Sequence, residues 1–221
     1  MINGMIENSN LTEILAVDDD KRDANWEIQF FNALSLGNLK VLTPEPHTGP
    51  DGWPYLLADT VDSTTEDTFQ KVLHWLSDKG VGLVVNPQKE YPDYVFTYGM
   101  LWNFKETGLF FIKSDKASEG VFEFQMKDIK SAGTPTESYL PLYVRKVLKE
   151  FLLQQGIMSP KIIAFTLDGI NFDLAFSKES LGNPEAAENQ GVLEALSWFL
   201  PLHYKVTLIS ENELTLPFTT L

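Results

Sequence analysis

Apolar residues recur at Phe69, Val72, Leu73 and Leu76, the i, i+3, i+4, i+7 spacing that puts one stripe along a helix. Ser63 and Glu66 precede it as S-x-x-E, which predicts a capping box. Gly80 is placed to be the left-handed residue that ends the helix. The next run, VGLVVN from Val81 to Asn86, has no polar alternation. A strand of that kind is buried on both faces and belongs inside a sheet. Pro87 ends it, having no N–H to give to a ladder.

The same reasoning extends in both directions. Asn10 is placed to cap the turn LTEILAV, and Trp26, Phe30, Ala33 and Leu34, with Phe31 beside them, make a second helical stripe. Strands follow at Leu39–Thr43 and Tyr55–Thr60, joined by the turn-rich loop PEPHTGPDGWP. Further on, YLPLYVRKVLKEFLLQQG reads as a helix. Pro141 must sit in its first turn, so its start is expected near Thr136 to Ser138. Lys161–Thr166 and Phe172–Phe176 form a hairpin around Asp168-Gly169. Asn183-Pro184 is expected to cap a helix carrying Val192, Ala195, Leu196 and Phe199. Pro201 stops that helix, and YKVTLI is the last strand.

Between Tyr94 and Phe104 the period changes. Tyr94, Phe96, Tyr98, Met100, Trp102 and Phe104 all fall on even positions. Period two predicts extended chain with one aromatic face, Gly99 marking a bulge or bend. LFFIK and VFEFQM continue as strands, and KSAGTPTES, Lys130 to Ser138, has linker composition.

These elements predict an α+β fold of two similar helix-strand-strand-helix-strand units, a weak internal repeat. Each is a mixed or antiparallel sheet backed by helices, with an extra aromatic strand region after the first. The expected domains are residues 1–130 and 131–221.

Composition narrows the function. Acidic residues outnumber basic ones 31 to 17, a net charge of −14. That field repels phosphate backbones and anionic lipid, so neither nucleic acid nor membrane is an expected partner. A basic partner would be attracted. With no cysteine, thiolate catalysis, disulfides and cysteine-held zinc are excluded. MINGMIENSNLTEIL has no basic stretch leading into an apolar one, and no apolar run approaches about 18 residues. A soluble cytoplasmic protein is therefore expected.

A resemblance accompanies this pattern. FFNALSLGNLKVLTPE, followed later by HWLSDKGVGLVVNPQ, resembles the N-terminal domain of the enhanced-serine-sensitivity protein family, SseB. The matching residues are Phe30, Leu34, Leu39, Val41, Gly82, Leu83, Val84, Asn86 and Pro87. The resemblance implies a bacterial cytoplasmic protein with a regulatory or partner-binding role, and it carries over no catalytic residue.

Candidate chemistry is sparse. The three histidines, His47, His74 and His203, lie in separate segments without metal-ligand spacing. His47 has Glu45 and Asp51 near it in sequence, from which an oriented general base could be built; the same loop also serves as a plain connection. Asp18, Asp19 and Asp20 lack calcium-loop spacing and suit a helix start. No nucleophile-elbow or phosphate-loop motif occurs, and no cofactor or metal is expected. The candidate binding residues are Tyr94, Phe96, Tyr98, Trp102 and Phe104, which either form a recognition face or pack in a core, together with His47, Asp51 and Trp53. Three functions fit: a non-enzymatic protein-binding or regulatory module that binds a partner or itself, a hydrolase using His47 with Glu45 or Asp51, and an acidic immunity or chaperone-like protein for a basic partner.

Overall fold

The computed structural model describes residues 11–63, 66–110 and 124–221, which fall into two compact units. The first holds residues up to Leu76 and Val81–Phe96; the second holds Ser77–Gly80 and everything from Thr97. The main division therefore falls between Phe96 and Thr97, ahead of the boundary expected at residue 130 from linker composition.

In the first unit the order is α1 (Leu11–Leu15), α2 (Ala24–Ser35), β1 (Asn38–Val41), β2 (His47–Thr48), β3 (Pro54–Val61), β4 (Asp67–Thr68), α3 (Phe69–Leu76), β5 (Gly82–Val85) and β6 (Tyr94–Phe96). The sheet runs β4-β1-β3-β5-β6, with β2 paired to β3. β1 is antiparallel to β3, β3 is parallel to β5, and β5 is antiparallel to β6. β5 is an inner strand and all four of its residues are buried, as its unbroken apolar run requires. Asp23 starts α2 by accepting hydrogen bonds from the backbone N–H groups of Asn25 and Trp26, both at 2.9 Å.

The expected capping box before α3 does not form its start. Asp67 and Thr68 pair with Leu39 and Asn38, so ladder bonds claim the chain there and the helix begins at Phe69. Its stripe of Phe69, Val72, Leu73 and Leu76 is buried as expected. Gly80 has φ +67, the left-handed turn anticipated for it.

The second unit contains α4 (Tyr98–Thr107), β7 (Ser131–Gly133), α5 (Leu142–Gln154), β8 (Lys161–Thr166), β9 (Asp173–Ser177), α6 (Asn189–Trp198), β10 (Val206–Ile209) and β11 (Thr219–Thr220). Its sheet runs β10-β9-β8-β11, with β7 also on β8. β8 and β9 form the expected hairpin. Asp168 closes it, accepting from the backbone N–H of Ile170 and Asn171 at 2.8 Å.

Two helix starts differ from expectation. α5 begins after Pro141, which is extended and takes the cap position, instead of near Thr136. α6 begins at Asn189, and Asn183 instead adopts φ +55 after a short 3-10 turn at Glu179–Leu181. Asparagine tolerates that conformation better than most residues.

The chain is α+β, with six helices and two mixed sheets among the described residues. The expected repeat is visible in the topology. In α2-β1-β3-α3-β5 the first two strands are antiparallel, and the third lies parallel to the second. α5-β8-β9-α6-β10 has the same arrangement. No helix among the described residues is long and apolar enough to cross a membrane.

The aromatic stretch is the largest correction. Only Tyr94–Phe96 is a strand; from Tyr98 to Thr107 the chain is helical. Thr97 caps this helix by accepting from the Met100 N–H, and Gly108 ends it at φ +74. Every residue from Tyr98 to Phe104 is buried, so α4 has no solvent face over that stretch. Of the expected strands, Leu109 and Phe110 of LFFIK and Phe124 to Met126 of VFEFQM are described and form no strand, Met126 starting a short 3-10 turn; the remaining residues of both, like Asn10, lie outside the described residues.

Candidate functional site

Parallel pairing brings the carboxyl ends of β3 and β5 to one edge of the first sheet, where Ala58 stands opposite Val85. Such edges are where open sheets with parallel strands hold ligands. The chain leaves β5 at Asn86 with φ +54. Turned this way, the Asn86 side chain reaches across to β3. Its Oδ1 accepts from the Thr60 backbone N–H at 2.8 Å, and its Nδ2 donates to Thr60 Oγ1 at 3.1 Å and to Asp93 Oδ2 at 2.6 Å.

The Asp93 carboxylate is fully enclosed. It pairs with Arg22 Nη2 at 2.8 Å and with Lys89 Nζ at 2.7 Å. Arg22 is itself mostly covered. Its guanidinium lies over the Trp26 ring at 4.5 Å and donates to the carbonyls of Val17 and Leu15. Asp93 thus ties three segments together: the link before α2, the loop after β5, and the start of β6.

Beside this knot lies a groove of about 450 Å³. Leu11 and Leu15 of α1 form an apolar wall, Asp59 and Asp62 stand at the end of β3, and Asn86 and Lys89 face them. Lys89 is committed to Asp93. Asp62 receives only a neutral hydroxyl, Thr12 Oγ1 at 3.3 Å, and Asp59 has no ion-pair partner among the described residues. The lining carries two carboxylates, Asp59 and Asp62, against one lysine, Lys89, and Lys40 stands opposite Asp59 on β1.

The second unit cross-links the corresponding positions. When Ala58–Val85 is laid on the pair Ser177–Ile209, Thr60 matches Glu179 and Asn86 matches Ser210. Ser210 Oγ donates to Glu179 Oε1 at 2.5 Å, and the Glu211 N–H donates to Glu179 Oε2 at 2.9 Å. Ser177 Oγ donates to Glu211 Oε1 at 2.7 Å, and Lys161 Nζ pairs with Glu211 at 2.8 Å. Ser177 is fully buried and its hydroxyl is already engaged by Glu211 and by the Ser180 N–H, so this edge reads as a structural clasp and not as a nucleophile.

That clasp has a pH signature. The Ser210 hydroxyl first, then the Glu211 N–H, hold the Glu179 carboxyl down to about 2, from an ordinary 4.5. A depressed folded-state value means the unfolded chain takes up protons first as pH falls. The contribution is complete above about 4.5 and is lost as pH drops toward about 2. Glu179→Gln should flatten the fall in stability across that window; urea midpoints measured from pH 5 to pH 2 check it.

The expected catalytic loop does not assemble. His47 is exposed on β2, and its Nε2 shares a hydrogen bond with Thr43 Oγ1 at 2.8 Å. Asp51 instead accepts from Tyr55 Oη at 2.6 Å and from the Trp53 N–H at 3.2 Å. Glu45 meets the Thr43 hydroxyl only through its backbone carbonyl. The loop is stapled to β3 through Asp51, and among the described residues no carboxylate orients the imidazole. His74 is exposed on α3, while burial pushes the His203 imidazole down from its ordinary value.

The candidate aromatic face is divided between two cores. Tyr94 and Phe96 pack in the first unit against Phe30 and Phe31, Tyr94 lying 5.0 Å from Phe31 and 4.5 Å from Phe96. Tyr94 also donates to Glu27. Tyr98 and Trp102 belong to the second unit, where Tyr98 donates to the Ser77 carbonyl at 2.5 Å and Trp102 to the Phe199 carbonyl at 2.8 Å. Phe104 stacks on Phe110 at 4.2 Å. Phe96, Tyr98, Trp102 and Phe104 are buried, and Tyr94 is half-buried. They form no common recognition surface.

Asp18 and Asp19 pair with Lys21 and Arg22. Among the described residues no group of three histidine, aspartate or glutamate side chains is placed to hold a metal ion. The groove residues Asp59, Asp62 and Asn86, and the knot residues Arg22 and Asp93, were not anticipated from sequence. Asn86 alone carried a signal, at the abrupt end of the VGLVVN strand.

The chain matches no family model, no curated protein and no solved structure.

Proposed function

We propose that this chain is a non-enzymatic binding module that takes a basic segment of a partner protein into the groove at the carboxyl ends of β3 and β5. The observation that carries this reading is the groove itself: about 450 Å³, apolar along α1, with Asp59 and Asp62 in no ion pair among the described residues and the lysine of the lining, Lys89, paired with Asp93. The net charge of −14 would steer such a partner toward the surface and raise its rate of encounter. The partial likeness to SseB agrees with a partner-binding role. An acidic immunity or chaperone-like protein is the version of this reading in which the partner is a basic effector. The hydrolase reading draws no support from the geometry, because His47 meets neither Glu45 nor Asp51.

The test is to isolate a stoichiometric partner with the wild-type chain and remeasure its affinity with Asp59→Lys/Asp62→Lys. A loss of about tenfold or more, growing at low salt, is expected. An unchanged affinity with a folded variant would place the partner elsewhere.

A further inference from the structure

The groove just described carries Asp59, Asp62 and Lys89 in its lining. On the first unit a second concavity, of about 400 Å³, is different in kind. Its walls are Val41 of β1, Pro44, Leu56 of β3, and Val72 and Trp75 of α3, and its rim carries Asp67 and Lys71.

Trp75 is the unusual element. The buried stripe of α3 is complete with Phe69, Val72, Leu73 and Leu76. Trp75 lies beside that stripe and remains 43% exposed. A large ring with a polar edge, half out of water over an apolar floor, is the arrangement found where proteins receive ligands. The size agrees: small-molecule sites run from about 300 to 1,000 Å³ and are lined chiefly by apolar and aromatic side chains. The charge narrows the ligand further. Asp67 and Lys71 are the charged groups of the lining, and they are ion-paired with each other. The pocket therefore offers no net charge to a ligand, and desolvating a charged one there would go uncompensated.

We infer that this pocket binds a small, flat, uncharged ring compound, of one or two fused rings, laid against Trp75 between α3 and the β1–β3 face. The site is independent of the acidic groove and of the protein partner proposed for it.

The test uses the full chain labelled with ¹⁵N and titrated with 2-naphthol. The chain has five tryptophans, so the Trp75 indole N–H signal is assigned by its absence from Trp75→Phe. The expected result is a saturable shift of that signal at up to millimolar ligand. 2-Naphthoate and 2-naphthylmethylammonium should bind at least about tenfold more weakly, since each brings a charge into an apolar site. Trp75→Ala should weaken 2-naphthol binding by about tenfold with folding retained, because Trp75 is outside the core stripe. Absence of a saturable shift in the Trp75 signal would overturn the proposal. So would equal binding of the charged analogues, or undiminished binding to Trp75→Ala.

Discussion

Replacing Gly99 with alanine is expected to destabilise the second unit by about 3 kcal/mol, at the upper end of what overpacking costs. Gly99 lies in the first turn of α4. A Cβ there would stand 1.9 Å from the Leu200 carbonyl oxygen, 2.2 Å from its carbon and 2.7 Å from its nitrogen. All three are backbone atoms, so no side-chain rotation relieves the overlap. The residues around it allow little movement, since Trp102 one turn on is bonded to the Phe199 carbonyl and Tyr98 to that of Ser77. Urea unfolding of Gly99→Ala reads the effect. A loss below about 1 kcal/mol would mean that α4 and the Phe199–Pro201 segment slide apart easily, contrary to the packing described.

Asp93→Ala is expected to cost the first unit about 3–5 kcal/mol. The substitution leaves Arg22 mostly covered with only the exposed Asp19 carboxylate to pair with, and it removes one of the two acceptors of the Asn86 side-chain amide. The penalty comes chiefly from stranding a charge, so replacing the partners together should restore much of it. Asp93→Leu with Arg22→Met is accordingly expected to be more stable than Asp93→Ala. By contrast Lys71→Ala, which breaks an exposed pair with Asp67, should cost less than about 1 kcal/mol. Equal losses for Asp93→Ala and Lys71→Ala would show that burial at Asp93 has no energetic weight.

Much of the frame was legible because its signals were local. The α3 stripe, the inner strand at Gly82–Val85 and the Asp168-Gly169 hairpin depend on short stretches of chain, and all three stand in the structure. The errors came where long-range pairing or full burial overrode a local signal. Ser63 and Glu66 look like a capping box, but β4 takes the next residues into the sheet. In α4 the even positions hold the large rings, while Leu101 and Asn103 between them are also buried. A helix enclosed on all sides has no polar stripe, and chance alternation then imitates a strand. Its punctuation, Thr97 before and Gly108 after, is present in the sequence as a cap and a left-handed stop.

The groove could not be read locally at all. Thr60 and Asn86 stand 26 residues apart, and the parallel register alone brings them together. Asp93 looks like an ordinary loop residue, and nothing in its neighbours announces that Arg22 will close over it.

Binding of a basic segment at the carboxyl edge of β3 and β5 can be mapped residue by residue. A peptide alternating lysine with leucine is titrated into ¹⁵N-labelled protein at low and high salt, with a glutamate-for-lysine peptide as its match. Saturable shifts are expected at the backbone amides of Asp59, Thr60 and Asp62 and at the Asn86 side-chain amide, weakened by salt and absent with the acidic peptide. Shifts confined to other surfaces, or equal for the two peptides, would contradict it.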